Sequence, residues 1–215
     1  MKVFFLPKHP RALLFDIDGT LYDNDRYARF QVEVLVEELA RVRGRPLDEV
    51  RAEVERARRE LGAREGRETT SLGNAMAALG VDLATSVAWR ERLIEPSAWL
   101  ARDLKLDEAL ALLARRFKLA AVTNNPRLVA LKGLAALGVE ARFEAVVGLD
   151  DTMRSKPARE PFELAARLLG VALTDCVSIG DRHDVDLAVP LELGAGGILV
   201  DGASDVLLLP GLLIG

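Results

Sequence analysis

Short apolar runs that each stop at a polar residue or a glycine constrain this chain more than any other feature of its sequence. Ala12 to Phe15 runs into Asp16, Leu119 to Val122 into Thr123, Val146 and Val147 into Gly148, and Cys176 to Ile179 into Gly180. Runs this short and this uniformly apolar read as strands buried on both faces. Between the later ones, apolar residues recur at helical spacing: Leu128, Leu131, Leu134 and Leu137 before Gly138, then Phe162, Ala165, Leu168 and Leu169 before Gly170. Strands alternating with helices imply parallel pairing, because each crossover needs a helix to carry the chain back. The predicted fold class is therefore α/β, a doubly wound and mostly parallel sheet with both faces covered.

Residues 24–100 break that alternation, with helical patterns succeeding one another and no convincing strand. Leu47, Val50, Val54, Ala57 and Leu61 repeat at threes and fours, Pro46 suits the first helical position, and Asp48 and Glu49 suit the first turn. The polar stretch 62–71 reads as a loop, and Ser71 and Gly80 bracket a short helix through Ala75, Met76 and Leu79. Trp89 and Trp99 read as packing residues at the base of this module. The expected domains are a core of residues 1–21 and 104–215 and an inserted helical module of residues 22–103.

Composition narrows the function by exclusion. A net charge of −4 argues against a dedicated nucleic-acid binder, which needs a clustered excess of Lys and Arg. The apolar stretch Val3 to Leu6 ends at Pro7, too short for a signal or a membrane span, so the expectation is a cytoplasmic protein without a membrane partner. The one cysteine, Cys176, excludes an internal disulfide and reads as a buried hydrophobe. The chain has only four Asn and one Gln, so the adjacent pair Asn124 and Asn125 concentrates a scarce residue type in one segment.

In an open α/β sheet, ligands bind beyond the carboxyl ends of the strands, so the residues that close each run should meet in one crevice. Asp16 and Asp18 are two apart, which in extended geometry places both on one side of the chain, and Gly19 permits a tight departure. Thr123 and Asn124 also read as an N-cap before Pro126, and Asn125 either faces a ligand or opens that helix. Asp184, His183 and His9 read as incidental, and Arg64 and Arg67 as solvated charges of the insert.

Asp16-Ile17-Asp18-Gly19-Thr20-Leu21 resembles the first motif, DxDGT, of the haloacid-dehalogenase-like (HAD) superfamily. Thr123 after an apolar strand resembles the second motif and Lys156 before Pro157 the third. Asp181 and Asp186, in Gly180-Asp181-Arg182-His183-Asp184-Val185-Asp186, resemble the fourth, GDxxxxD. The four occur in the family's order over nearly the whole chain.

The resemblance implies a HAD-like Rossmannoid core with a helical cap of the C1 type, and a phosphatase acting on a small phosphorylated metabolite. Asp16 would be the nucleophile and Asp18 the general acid and base. Thr123, Asn124 through its backbone amide, and Lys156 would hold the phosphate. Mg²⁺ would be held by Asp16, Asp181, Asp186 and, through its backbone carbonyl, Asp18. A dehalogenase is disfavoured because relatives with that activity lack an acid at the position of Asp18. The remaining alternatives are a phosphomutase and a non-catalytic phospho-acceptor or ligand-binding module. In phospho-acceptor modules the acidic pair precedes the Thr and Lys, whereas here Asp181 and Asp186 come last. Oligomeric state leaves no signature in the sequence.

Overall fold

Six strands pair into one sheet: β1 (Lys2–Phe5), β2 (Ala12–Phe15), β3 (Lys118–Val122), β4 (Ala145–Val147), β5 (Cys176–Gly180) and β6 (Gly196–Leu199). The computed structural model describes residues 1–64, 68 and 70–215. The strands lie in the order β1, β6, β5, β2, β3, β4, and only β1 is antiparallel to its neighbour. Phe15, at the end of β2, is level with Ala121 of β3 and Ile179 of β5, so the residues that follow emerge side by side at the carboxyl edge.

Strands β1 and β6 lack the signature that betrays the other four. All of β1 is exposed, as befits an edge, and β6 opens with two glycines. A Cβ on Gly196 would lie 2.8 Å from Pro7 Cδ and 2.9 Å from Val177 Cγ2. Close approach of neighbours demands glycine there, and glycine carries no hydrophobic pattern. The apolar stretch at Val3 is thus an edge strand, and no helix among the described residues is long and apolar enough to cross a membrane.

The chain divides into two compact units, residues 25–95 and residues 1–24 with 96–215. The first holds α1 (Asp25–Arg43), α2 (Leu47–Arg64), α3 (Leu72–Ala78) and α4 (Leu83–Leu93). Leu35, Val36, Leu39, Val50, Val54, Leu72, Met76 and Val81 form its core, with Trp89 packed against it. Ser71 caps α3 by accepting from the Asn74 amide, and Asp82 caps α4 from Thr85. Pro46 lies one residue before α2, its carbonyl accepting from the Val50 amide, and not at the first helical position. Nor does the loop begin at Gly62: α2 continues through it to Arg64, with Gly62 buried. Arg64 is exposed in the last turn, and Arg67 lies outside the described residues.

Glu38 is a buried charged residue of this helical unit, its side chain 5% exposed. Arg41 donates to it through Nε and Nη2, both at 2.7 Å, and Arg92 through Nη2 at 2.5 Å. The Arg41 hydrogen bonds, opposed by burial and joined by Arg92, hold its carboxyl down at about 2. A depressed carboxyl stabilises the folded state above its unfolded value of 4.5 and loses that contribution as pH falls towards 2. Both guanidinium groups are more than half exposed, so screening limits the effect, and Glu38→Gln should cost about 1–2 kcal/mol at neutral pH. Urea unfolding of parent and variant should converge as the pH is lowered through this window. A constant difference across it would show that the pairing contributes nothing.

In the other unit, α5 (Leu104–Ala114), α6 (Arg127–Leu137), α7 (Leu149–Thr152) and α8 (Glu160–Leu168) accompany the sheet. Phe162, Ala165, Ala166 and Leu169 from α8 and its end pack on Ala12, Leu14, Ala120, Val122, Val147 and Cys176, alternate residues on one sheet face. Residues 96–103 group with this unit and not with the helical insert. Asn24 Nδ2 donates to the Trp99 carbonyl at 3.0 Å, and Pro96 and Leu100 fit against Gly133 of α6.

Candidate active site

Asp16, Thr123 and Asp181 are the first residues beyond β2, β3 and β5, the three central strands that share the carboxyl edge. The Asp16 amide donates to the Ile179 carbonyl at 2.8 Å and that of Thr123 to Val147 at 3.0 Å, so strand pairing itself fixes where their side chains start. Lys156 comes from the segment between α7 and α8 and is held by its backbone. Its amide donates to Asn124 Oδ1 at 2.7 Å, and its carbonyl accepts from Asn124 Nδ2 at 3.2 Å. One asparagine side chain thereby sets the lysine against the sheet edge.

The Lys156 ammonium is buried and donates to Asp16 Oδ1 at 2.5 Å and Asp186 Oδ1 at 2.7 Å. Asp186 returns to the site by way of a wide π-helical turn, His183–Leu187, which spans the five-residue separation from Asp181. Ser178 Oγ donates to the Asp186 carbonyl at 2.7 Å, and the Arg182 amide to Asp186 Oδ2 at 3.1 Å. Gly19 leaves the first turn at φ 81°, and a Cβ there would lie 2.7 Å from Asp181 Oδ2. Glycine is therefore required twice over, for the backbone angle and for the space.

Asp16, Asp181 and Asp186 each offer a carboxylate oxygen within 4.8 Å of the others. Burial pushes Asp16 up to about 7 against the pull of Lys156, and the charges of Asp186 and Asp18 push the same way. Burial and Asp186 likewise raise Asp181. Burial works to lower Lys156, but the two aspartates overcome it and raise the lysine. Three carboxylates face the Lys156 ammonium and the Arg182 guanidinium, 3.9 Å from Asp181, so negative charge remains in excess, and Asp181 Oδ1 is buried without a hydrogen-bond partner. A hard divalent cation answers both deficits, since it takes carboxylate oxygens and restores neutrality. The residues present therefore fit such an ion.

Asp18 has different company. Its Oδ1 accepts a short hydrogen bond from the Tyr22 hydroxyl, and its Oδ2 accepts from Asn125 Nδ2 at 3.1 Å and from Thr123 Oγ1 at 3.5 Å. These are neutral donors, whereas Asp16 rests on a buried ammonium. Two carboxylates two residues apart are thus held in chemically distinct surroundings, which is the arrangement that lets one serve as nucleophile and the other move protons.

Residues 10–194 match the family model described as haloacid dehalogenase-like hydrolase. The chain belongs to this family. It is 31% identical over 183 residues to the phosphoglycolate phosphatase of Xanthomonas campestris pv. campestris, covering 81% of this chain and 76% of that protein. It is 35% identical over 99 residues to pyrophosphatase PpaX of Halalkalibacterium halodurans, and that match spans 46% of this chain and 44% of its relative. The HAD phosphatase from Thermococcus onnurineus superposes with a TM-score of 0.58 at 24% identity, over 88% of this chain and 86% of that one, a likeness that carries the fold alone.

In this HAD-like hydrolase the structure brings Asp16, Asp18, Thr123, Asn124, Lys156, Asp181 and Asp186 to one sheet edge. The Asp18 carboxylate is directed at Tyr22, Asn125 and Thr123 and is not one of the three clustered carboxylates. The N-cap reading of Thr123 and Asn124 needs correction. Pro126 occupies the cap position of α6 without a side-chain bond, and the Arg127 amide is satisfied by Asp150 Oδ1 at 2.6 Å. Thr123 Oγ1 accepts instead from the Asn125 amide at 3.1 Å, and Asn124 serves Lys156. His183 and Asp184 are exposed, the histidine ring lying 4.7 Å from that of Phe4. Cys176 is fully buried, and burial pushes its thiol up to about 12.

Three residues at the site carried no assigned role in the sequence. Tyr22 belongs to no motif. Thr20, whose Oγ1 approaches Asp16 Oδ2 at 3.4 Å, reads as part of a turn. Asn125 was open between two readings, and the unusual pairing of scarce asparagines was the available signal.

Proposed function

We propose that this hydrolase is a Mg²⁺-dependent phosphatase that cleaves a small phosphate monoester through an aspartyl-phosphate on Asp16. The observation that carries the reading is the division of labour between the carboxylates. Asp16 accepts from the buried Lys156 ammonium within a net acidic group, and Asp18 accepts hydrogen bonds from the Tyr22 hydroxyl and the Asn125 amide beside it.

In the first half-reaction an Asp16 oxygen attacks phosphorus and the bond from phosphorus to the ester oxygen breaks. The departing oxygen keeps the bonding pair and takes a proton from Asp18. In the second half, water attacks the phosphorus, Asp18 accepts the water's proton, and the Asp16 carboxylate leaves inorganic phosphate behind. Asp16, Asp181, Asp186 and the Asp18 backbone carbonyl would hold Mg²⁺, which would supply positive charge to the phosphate. Thr123, the Asn124 amide and Lys156 hold the phosphate oxygens. An ammonium has three N–H bonds, and with two of them spent on Asp16 and Asp186 the third is the one for phosphate.

The residues at the sheet edge address phosphate and little else, so we assign the choice of leaving group to the helical unit of residues 25–95, as a cap. Relatives named for phosphoglycolate and for pyrophosphate define the panel, to which sugar phosphates and nucleoside monophosphates are added. Purified protein with Mg²⁺ should release phosphate from at least one monoester, and Asp16→Asn should not. No release above that variant for any compound would overturn the reading, and an isomerised ester without free phosphate would make the protein a mutase.

A further inference from the structure

We propose that Tyr22 and Asn125 are positioning residues that orient the Asp18 carboxylate for proton transfer, an inference that rests on the phosphatase reading above. The two donors bind different oxygens, Tyr22 on Oδ1 and Asn125 on Oδ2, so a rotation of the carboxyl group about its last bond breaks both contacts. Thr123 Oγ1, at 3.5 Å from Oδ2, adds a weaker third.

Each donor is itself anchored by the fold. Tyr22 is 8% exposed and stands opposite Asp18 across an isolated parallel bridge, at the end of a turn closed by the Thr20 and Leu21 amides on the Ile17 carbonyl. Asn125 donates its own amide to Thr123 Oγ1 at 3.1 Å, and its carbonyl accepts from the Leu149 amide at 2.9 Å. Both hydrogen-bond donors thus issue from fixed backbone, and not from long flexible side chains that pay rotamer entropy to form the contact.

The consequence is chemical. Asp18 has to address the leaving oxygen and then the incoming water, and a proton passes efficiently only when donor and acceptor are held within hydrogen-bond reach. Freeing the carboxyl to rotate lowers the fraction of time it faces the reacting oxygen, while the metal and phosphate contacts, made by other residues, persist. The defect therefore falls on kcat/KM for leaving groups that need a proton, and through the water step it lowers kcat on every ester.

The experiment compares Tyr22→Phe, Asn125→Ala and the double variant on an alkyl phosphate drawn from the panel and on p-nitrophenyl phosphate. Phenylalanine keeps the buried ring and removes only the hydroxyl, and thermal unfolding of every variant checks the fold. Each single variant should lose roughly ten- to hundredfold in kcat/KM on the alkyl ester and only severalfold in kcat/KM on the aryl ester. Adding Asp18→Asn to the double variant should bring less loss than it brings to the parent, because residues acting as a unit are not additive. Equal losses of kcat/KM on both esters, or unchanged kcat/KM on the alkyl ester, would overturn the positioning role with the phosphatase reading intact. A parent that releases phosphate from neither ester would overturn both.

Discussion

Asp16→Asn should lower phosphate release by roughly four orders of magnitude or more, the loss expected when a covalent nucleophile is removed. The substitution is nearly isosteric, so the buried position beyond β2 stays filled and the Asp16 amide keeps its bond to Ile179. What disappears is the oxygen nucleophile and one of the three clustered carboxylates. Lys156 retains Asp186 as a partner, so the lysine remains charged and in place. Initial rates on the best substrate of the panel, with Mg²⁺ in excess, make the comparison, and a residual rate within a hundredfold of the parent would remove Asp16 from the chemistry.

Lys156→Met is expected to act on stability and on catalysis together. The ammonium is the cation that separates Asp16 from Asp186 in the buried site, and removing one partner of a buried ion pair costs about 3–5 kcal/mol. In chelator the variant should therefore unfold at a markedly lower temperature than the parent. Mg²⁺ should raise its Tm by more than it raises the parent's, because the variant has lost the buried ammonium that offsets Asp16 and Asp186. Activity at saturating Mg²⁺ should still fall by about a hundred- to a thousandfold, the usual loss of one preorganised donor to the transferring group. An unchanged Tm in chelator, with equal Mg²⁺ shifts, would mean that the lysine neither neutralises the acidic cluster nor competes with a cation for it.

The central strands were legible because burial on both faces leaves an unbroken apolar run, as in Leu119 to Val122. The polar residues beyond those runs were legible as a site because a parallel sheet gathers its carboxyl ends, and Asp16, Thr123 and Asp181 do emerge together. The edge was not legible: β1 is exposed, and β6 needs glycines where Pro7 and Val177 crowd it. Local hydrogen-bond competition defeated the N-cap reading, since Thr123 turns back on Asn125 while Asp150, distant in sequence, satisfies α6. Tyr22 escaped for a different reason. An aromatic residue after a turn carries the same pattern whether its hydroxyl is used or not, and only the tertiary fold brings that hydroxyl to Asp18. Asn124 shows the same limit, as its side chain acts on a backbone 32 residues away.

The account stands or falls on where the phosphoryl group goes, and rapid-quench trapping with p-nitrophenyl phosphate reads that directly. Asp18→Asn keeps the nucleophile and slows the water step that needs a base, so acid-quenched samples should contain a covalent adduct, and mass spectrometry of its peptides should place one phosphoryl group on Asp16. Asp16→Asn under the same conditions should contain none. An adduct on Asp16→Asn, or a phosphoryl group found on any other residue of the parent chain, would contradict the assignment of Asp16 as the nucleophile.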